Sequence, residues 1–322
     1  MNAVTVSLLW LVWACPNGFG VPAPDAPVPV PPASITALAV CKGAPLALSG
    51  ASDGALLLWK LERELRAQVA GQLEGAITGL AWAGAKRAFA TDDAGNLGLV
   101  VPQQGVRVVG CHRGGALSLA ASADGALLAT AGGDGTIQLW SGVDGEPRGE
   151  LTGHEGPVAA VAVDGNRLWS AGWDGTLRTW KLKKDGRGGR GRKRRVAGER
   201  ELSALSLSGN GKRLLAACFD GALRLYETRG SKPPLTFPAR PHGEWIRQVA
   251  FSPDGRYALA VAPAEQALVL LEPSRSPHAT VIPQSRVPSV VAFHPDGKTL
   301  LVGRFDGSVE RIPPPTLQQN GR

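Results

Sequence analysis

Residues 127–140 read LLATAGGDGTIQLW, and residues 167–180 read RLWSAGWDGTLRTW. Each stretch contains an apolar run, an Asp-Gly pair and a second run that ends in tryptophan. Asp-Gly between two such runs favours a tight hairpin, because glycine accepts a positive φ and aspartate hydrogen-bonds to the backbone of its own turn. Both stretches therefore predict a pair of antiparallel strands rather than a helix.

The same unit recurs along the chain at a nearly fixed period. Its second run ends in turn at Trp59, Leu99, Trp140, Trp180, Tyr226, Leu271 and Ile312. Successive end points are 40, 41, 40, 46, 45 and 41 residues apart. A period of this length is typical of one four-stranded propeller blade. The sequence therefore predicts an all-β fold, a β-propeller of seven four-stranded blades.

Two units carry a matching set of four polar and aromatic residues. The sets are His112, Thr130, Asp134 and Trp140 in the third unit, and His154, Ser170, Asp174 and Trp180 in the fourth. On these residues the chain resembles the WD-repeat family, and the resemblance covers about residues 33–313. It implies that each set is a structural tetrad, hydrogen-bonded within one blade.

The other units keep only parts of this pattern. The remnants are Ser49, Asp53 and Trp59 in unit one, Asp93 in unit two, Asp220 in unit five, His242 and Glu265 in unit six, and Asp306 in unit seven. Units two and six lack the tryptophan and parts of the polar network. We therefore expect them to form the weakest blades.

The propeller is predicted over residues 33–314, between an N-terminal segment, 1–32, and a C-terminal tail, 315–322. Residues 3–14 are apolar and precede Cys15 and a proline-rich stretch. That order suits an export signal or lipid-attachment sequence followed by a flexible linker. The first ten residues hold no Lys or Arg, which argues against a signal. An exported or lipid-anchored protein and a cytoplasmic one both stay open.

The apolar run near the start is too short to span a bilayer comfortably, and no later segment is apolar enough. The propeller is therefore predicted to lack a transmembrane segment and to be a monomeric ring. The strand that closes this ring comes either from residues 314–320 or from the segment before Ser34. Proline in both places fits an edge strand.

The positive charge of the chain is concentrated in one segment. Residues 181–195 hold nine Lys or Arg and one Asp, which equals the whole net charge of +8 and leaves the remainder neutral. Glycines interleaved with arginines cannot bury apolar surface, so residues 181–198 are predicted to form a disordered loop. The predicted polyanion-binding residues are Lys183, Lys184, Arg187, Arg190, Arg192, Lys193, Arg194 and Arg195.

This segment suits binding to nucleic acid or another polyanion without sequence specificity, because it offers charges and no aromatic side chains for base stacking. A solvated insertion with no partner is the alternative interpretation.

The sequence predicts no catalytic residue, metal or cofactor. His112, His154 and His242 share one repeat position, which distributes them around the ring rather than bringing them together. The four cysteines lack the paired spacing of a zinc or redox site. A propeller enzyme is the most distant alternative, since a fold does not fix a function.

In the WD-repeat architecture, the residue before each turn aspartate faces the top of the ring beside the central channel. These positions are Ser52, Asp92, Gly133, Trp173, Phe219, Ala264 and Phe305. Trp245 and Arg247, at the start of unit six, are also expected at the top rim. Aromatic residues and arginine are enriched at binding hot spots.

The chain is therefore predicted to be a non-enzymatic scaffold that binds a protein or peptide partner through the top face. The predicted contacts are Trp173, Phe219, Trp245, Arg247 and Phe305, across units four to seven. The alternative is that these aromatic residues only pack over neighbouring blades.

Overall fold

A computed structural model describes residues 33–183, 201–229, 233–237, 245–272, 279–297 and 299–313, together with the backbone of residues 191–195. Within these ranges the chain folds into strands and tight turns. The strands form seven separate antiparallel sheets, each made of consecutive strands. The predicted β-propeller of seven blades is confirmed.

The first four blades follow one another from residue 35 to residue 195. Their strands are β1 (Ile35–Val40), β2 (Leu46–Ala51), β3 (Ala55–Leu61), β4 (Leu65–Gln72), β5 (Ile77–Trp82), β6 (Ala88–Asp92), β7 (Asn96–Val101), β8 (Gly105–Cys111), β9 (Ala116–Ala121), β10 (Leu127–Gly132), β11 (Ile137–Ser141), β12 (Pro147–Leu151), β13 (Val158–Asp164), β14 (Arg167–Gly172), β15 (Thr176–Lys181) and β16 (Gly191–Arg195).

The last three blades complete the ring. Their strands are β17 (Leu202–Leu207), β18 (Arg213–Cys218), β19 (Leu223–Glu227), β20 (Leu235–Phe237), β21 (Gln248–Phe251), β22 (Ala258–Ala262), β23 (Ala267–Leu271), β24 (Ala279–Pro283), β25 (Pro288–Phe293), β26 (Leu300–Arg304) and β27 (Val309–Ile312). Blade seven has three strands among the described residues.

The first strand of each blade lies at the centre and contacts the first strands of both neighbouring blades. The second strands are mainly apolar, and β10 and β22 are buried at every position. Such strands are apolar on both faces because each blade is covered by another blade on either side. The core is therefore distributed over the interfaces between blades.

Glycine is required where neighbouring blades approach most closely. A Cβ added to Gly50 of blade one would lie 2.3 Å from Cγ2 of Ile77 in blade two. At the junction of blades seven and one, a Cβ on Gly303 would lie 2.6 Å from Cγ2 of Ile35. The same contact between glycine and isoleucine therefore occurs between blades one and two and between blades seven and one.

The junction of blades seven and one is also joined by hydrogen bonds. Ser34 Oγ donates to the Phe305 carbonyl at 2.9 Å, and Arg311 Nη1 donates to the Glu62 carbonyl at 3.0 Å. The two segments proposed to supply the closing strand, 314–320 and the residues before 33, lie outside the described residues.

The structure corrects the prediction of a loop over residues 181–198. Residues 191–195 form β16, which pairs with β15 from Thr176↔Arg195 to Trp180↔Gly191. The prediction was wrong here because an outer strand needs backbone hydrogen bonds but little apolar surface, and edge strands tolerate charged side chains. Lys184, Arg187 and Arg190 lie outside the described residues, whereas Lys183 is exposed.

Candidate functional site

The four residues of the third-unit tetrad meet inside blade three. Trp140 Nε1 donates to Thr130 Oγ1 at 2.9 Å, and His112 Nδ1 lies 2.9 Å from the same hydroxyl. The other ring nitrogen of His112 lies 3.3 Å from Asp134 Oδ1. The carboxylate also accepts the backbone N–H of Thr136, which closes the Asp-Gly turn.

Blade four brings its tetrad together with the histidine ring reversed. Trp180 Nε1 donates to Ser170 Oγ at 2.8 Å, and His154 Nε2 lies 2.7 Å from that hydroxyl. His154 Nδ1 lies 3.0 Å from both oxygens of Asp174. Each polar group already has a partner inside the blade, so the tetrad stabilises the blade and leaves no free base for chemistry.

Asp174 is the most strongly perturbed acid of the two tetrads. Burial acts to raise its pKa, but hydrogen bonds from Thr176 and the Glu155 N–H, together with the charge of His154, outweigh burial. Together these interactions lower the pKa of Asp174 from 3.8 to about 2. Arg178 Nη2 lies 3.5 Å from the same carboxylate.

Blade two differs from the sequence interpretation by one residue. The sequence pattern predicts Asp92 at the top face and Asp93 at the turn position. Asp92 is instead buried and accepts the backbone N–H groups of Gly75 at 3.1 Å and Asn96 at 2.7 Å. Asp93 is exposed and lines the channel. The turn glycine is Gly95, so Ala94 occupies the aspartate position; counting back from that glycine would have found this.

The five predicted contact residues lie together on the top face, and we call them the top-face arc. The rings of Trp173 and Phe219 meet edge to face with centroids 5.9 Å apart. Phe219 stacks on Trp245 at 6.3 Å, and the Arg247 guanidinium lies 5.5 Å from the centroid of Phe305. Trp173, Trp245 and Phe305 keep 43, 39 and 39% of their surface exposed.

The arc borders the central channel, a cavity of about 540 Å³ lined by the inner strands of all seven blades. Trp245 and Arg247 belong to both the arc and the channel wall. The described wall is mainly apolar and hydroxyl-bearing, and its charged residues are Arg247 and Asp93. The arrangement suits binding of a segment that lies across the aromatic rings and reaches the channel.

The described residues contain neither a group of side chains suited to a metal ion nor a membrane-spanning helix. In that part of the chain, no three His, Cys, Asp or Glu side chains are grouped so that they could hold a metal ion. The same residues contain no helix with the length and apolar character needed to cross a membrane. His242 lies outside the described residues, and Glu265 lies in the turn between β22 and β23.

Comparisons with known proteins agree with this architecture. The family model "WD domain, G-beta repeat" matches residues 103–141, 145–181 and 277–310. The first two matches run from the outer strand of one blade through the third strand of the next, so the sequence repeat is offset from the structural blade.

A relative and a solved structure extend the likeness. Coronin-7 from Bos taurus is 34% identical over 127 residues, which are 36% of this chain and 14% of the length of Coronin-7. The crystal structure of the WD40 β-propeller domain of Doa1 superposes with a TM-score of 0.72 at 15% identity, over 87% of this chain and 92% of that one. With seven blades in one ring and complete tetrads in two of them, this chain is a β-propeller that contains WD repeats.

Proposed function

We propose that the chain is a non-enzymatic scaffold that binds a protein or peptide partner through the top-face arc. The observation that carries this proposal is the continuous contact of Trp173, Phe219 and Trp245 across blades four, five and six. Large apolar groups left exposed beside one another on a folded surface are typical of interaction sites.

The mutual contacts of the arc also favour binding energetically. Each ring is held by the next, so a partner that covers them needs to immobilise few rotamers. Trp173 and Trp245 have the largest exposed aromatic surfaces of the three, and burial of that surface releases water. They are the proposed anchors, with Phe219 as the support between them.

Replacing either anchor by alanine is expected to weaken partner binding by about 2 kcal/mol or more, with little change in Tm. The probe is the most enriched sequence from a random-dodecapeptide display library selected on the full chain, measured as a synthetic peptide by calorimetry. Val69→Ala and Val108→Ala remove exposed apolar side chains from outer strands and serve as controls that keep binding. If Trp173→Ala and Trp245→Ala instead lower Tm and keep the peptide, these residues only pack.

A second candidate function is polyanion binding by the basic segment. Its specific support is that Arg192, Lys193, Arg194 and Arg195 occupy the outer strand of blade four, where β16 has no further strand beside it in the described sheet. A contiguous basic edge attracts phosphates through charge alone, with an affinity that falls as salt rises.

Replacing these four residues with glutamine is expected to abolish binding of a fluorescein-labelled oligothymidylate, measured by fluorescence anisotropy. Wild-type affinity should fall by about tenfold or more between about 50 and about 200 mM salt if several phosphates are contacted. Deletion of the segment is unsuitable because it would remove β16. The matched control replaces four exposed cations elsewhere, Arg63, Arg66, Lys86 and Arg107. Equal loss in both variants, or salt-insensitive binding, would reject this function.

A further inference from the structure

The inner strands of the seven blades begin alike at the channel. In six of them one residue falls between two paired positions, as Thr36 does between Ile35↔Ala51 and Ala37↔Gly50. In blade six the corresponding residue is Arg247, whose N–H donates to the Val261 carbonyl just before β21. We call these residues the mouth ring: Thr36, Thr78, Leu117, Ala159, Ser203, Arg247 and Ser289, all of which line the channel.

The mouth ring lies at the end of the channel that carries the top-face arc. Ile35 pairs with Ala51, directly before the turn that contains Ser52, and the same pairing recurs between Leu202 and Cys218 before Phe219. A β-bulge redirects the side chain at the skipped position and is common beside functional sites. The seven positions therefore form one circle next to the exposed aromatic rings.

Arg247 is the charged member of the mouth ring. Its guanidinium is half-buried, and among the described residues it has neither a hydrogen-bond acceptor nor an acidic partner; its contact there is the face of Phe305. Burial lowers the pKa of Arg247 below its usual value, although an arginine stays protonated in proteins. A partly desolvated cation without a counter-charge favours an anionic ligand.

A second unsatisfied donor lies at the adjacent position of the ring. Ser289 Oγ is buried and has no hydrogen-bond partner in the described structure. The other three hydroxyls of the ring are engaged: Thr36 donates to the Gly50 carbonyl, Thr78 bonds with Thr91, and Ser203 donates to the Ile246 carbonyl. The unused hydrogen-bonding capacity is thus located in blades six and seven, beside Trp245 and Phe305.

We propose that the mouth ring binds the side-chain carboxylate of an Asp or Glu in the partner's peptide, held by Arg247 with the hydroxyl of Ser289 beside it. This inference rests on the proposed scaffold function and names the chemistry of its partner. A planar guanidinium matches a carboxylate with two parallel hydrogen bonds. The apolar neighbours of the acid lie on Trp245, Phe219 and Phe305.

The charge of the site favours a carboxylate over a phosphate. Arg247 supplies one positive charge at the channel wall, which balances a single carboxylate, whereas a phosphoserine carries about −1.5 to −2 at neutral pH. Asp93, the other charged wall residue, belongs to blade two and so lies across the ring from blade six. It disfavours an anion on its own side and directs the acid towards blades six and seven.

The test uses the most enriched dodecapeptide selected on the full chain, synthesised with its acidic residue as glutamate, glutamine or phosphoserine. On the wild type, glutamine in place of glutamate should weaken binding about tenfold or more, because a charge-assisted pair is lost. On Arg247→Gln the glutamate and glutamine peptides should bind equally. Arg286→Gln is the matched control: it removes an exposed top-face cation that already pairs with Asp306, and it should keep the preference for glutamate.

Several results would overturn the carboxylate site. These are equal binding of the glutamate and glutamine peptides to the wild type, selected peptides without an acid, or equal loss of the preference in Arg286→Gln and Arg247→Gln. If the phosphoserine peptide binds tenfold more tightly than the glutamate peptide, the ligand of the mouth ring is a phosphopeptide and not a carboxylate. In each case the scaffold proposal stands as long as Trp245→Ala still weakens peptide binding.

Different results would contradict the scaffold function itself. Either no peptide is enriched, or the enriched peptides bind Trp173→Ala and Trp245→Ala as well as the wild type, and both proposals then fail. Arg247→Gln removes an unpaired charge, so its Tm should equal or exceed that of the wild type. If that variant does not fold, the comparison of glutamate and glutamine peptides on the wild type still decides.

Discussion

Replacing Trp140 with alanine is expected to lower the free energy of unfolding by about 3 to 5 kcal/mol. The indole is 4% exposed and packs between blades two and three, where a Cβ on Gly110 would lie 2.5 Å from it. The substitution leaves a cavity at this interface and removes the donor that reaches Thr130. Urea unfolding of the purified chain measures the loss.

Two further variants separate the causes of this loss. Trp140→Phe keeps most of the packing and removes the N–H donor, so it should cost only about 1 to 2 kcal/mol. Trp173→Ala deletes the same side chain at an exposed position and should change stability by less than about 1 kcal/mol. Equal destabilisation by Trp140→Ala and Trp173→Ala would contradict the assignment of one to the core and the other to the binding face.

Replacing Asp174 with asparagine is expected to cost about 3 kcal/mol at neutral pH. The carboxylate contacts His154 and Arg178, whose side chains are 0 and 11% exposed, and loss of the charge leaves a buried cation without its partner. The same change at Asp134, whose side chain is 32% exposed, should cost about 1 kcal/mol or less and is the matched control in blade three.

The Asp174 effect also has a defined pH dependence. Its pKa is about 2 in the folded chain against 3.8 as a free side chain, so ionisation favours the folded state above pH 3.8. That contribution, about 1 to 2 kcal/mol after allowance for solvent screening, is lost as pH falls from about 4 to about 2. The stability difference between wild type and Asp174→Asn should narrow over this range. A difference that stays constant would contradict a perturbed Asp174.

The blades could be predicted from the sequence because the residue patterns that specify each hairpin are local. An Asp-Gly pair between apolar runs specifies one hairpin, and a period of about 40 residues specifies its repetition. Gly135 and Gly175, at φ 80° and 69°, have the left-handed conformation that these turns require. The turn of blade two has the same length but carries Ala94 at the aspartate position, so alignment on Asp93 rather than on Gly95 gave the wrong residue.

The rest of the site depends on contacts between blades, which no local pattern contains. The sequence marked Trp173, Phe219 and Trp245 one at a time, but their stacking depends on the angle between adjacent blades. The equivalence of Arg247 with Thr36 and Ser289 follows from strand pairing and from the backbone hydrogen bond of Arg247 to Val261. The strand at residues 191–195 was missed because composition reports the burial of side chains and not the need of β15 for a backbone partner.

The junction between blades seven and one gives the ring one mechanically distinct point. Within the described residues no strand is shared across it. Its contacts there are a buried apolar cluster from both blades that includes Leu57, Val290 and Leu301, the packing of Ile35 at Gly303, and the hydrogen bonds made by Ser34 and Arg311. Other neighbouring blades are also joined by the chain itself. Thermal breathing of the ring should therefore begin at this junction. The top-face arc runs from blade four to blade seven and does not cross the junction between blades seven and one. A partner bound to the arc therefore does not contact both sides of the junction, and opening of the junction should not change the dissociation rate of the partner.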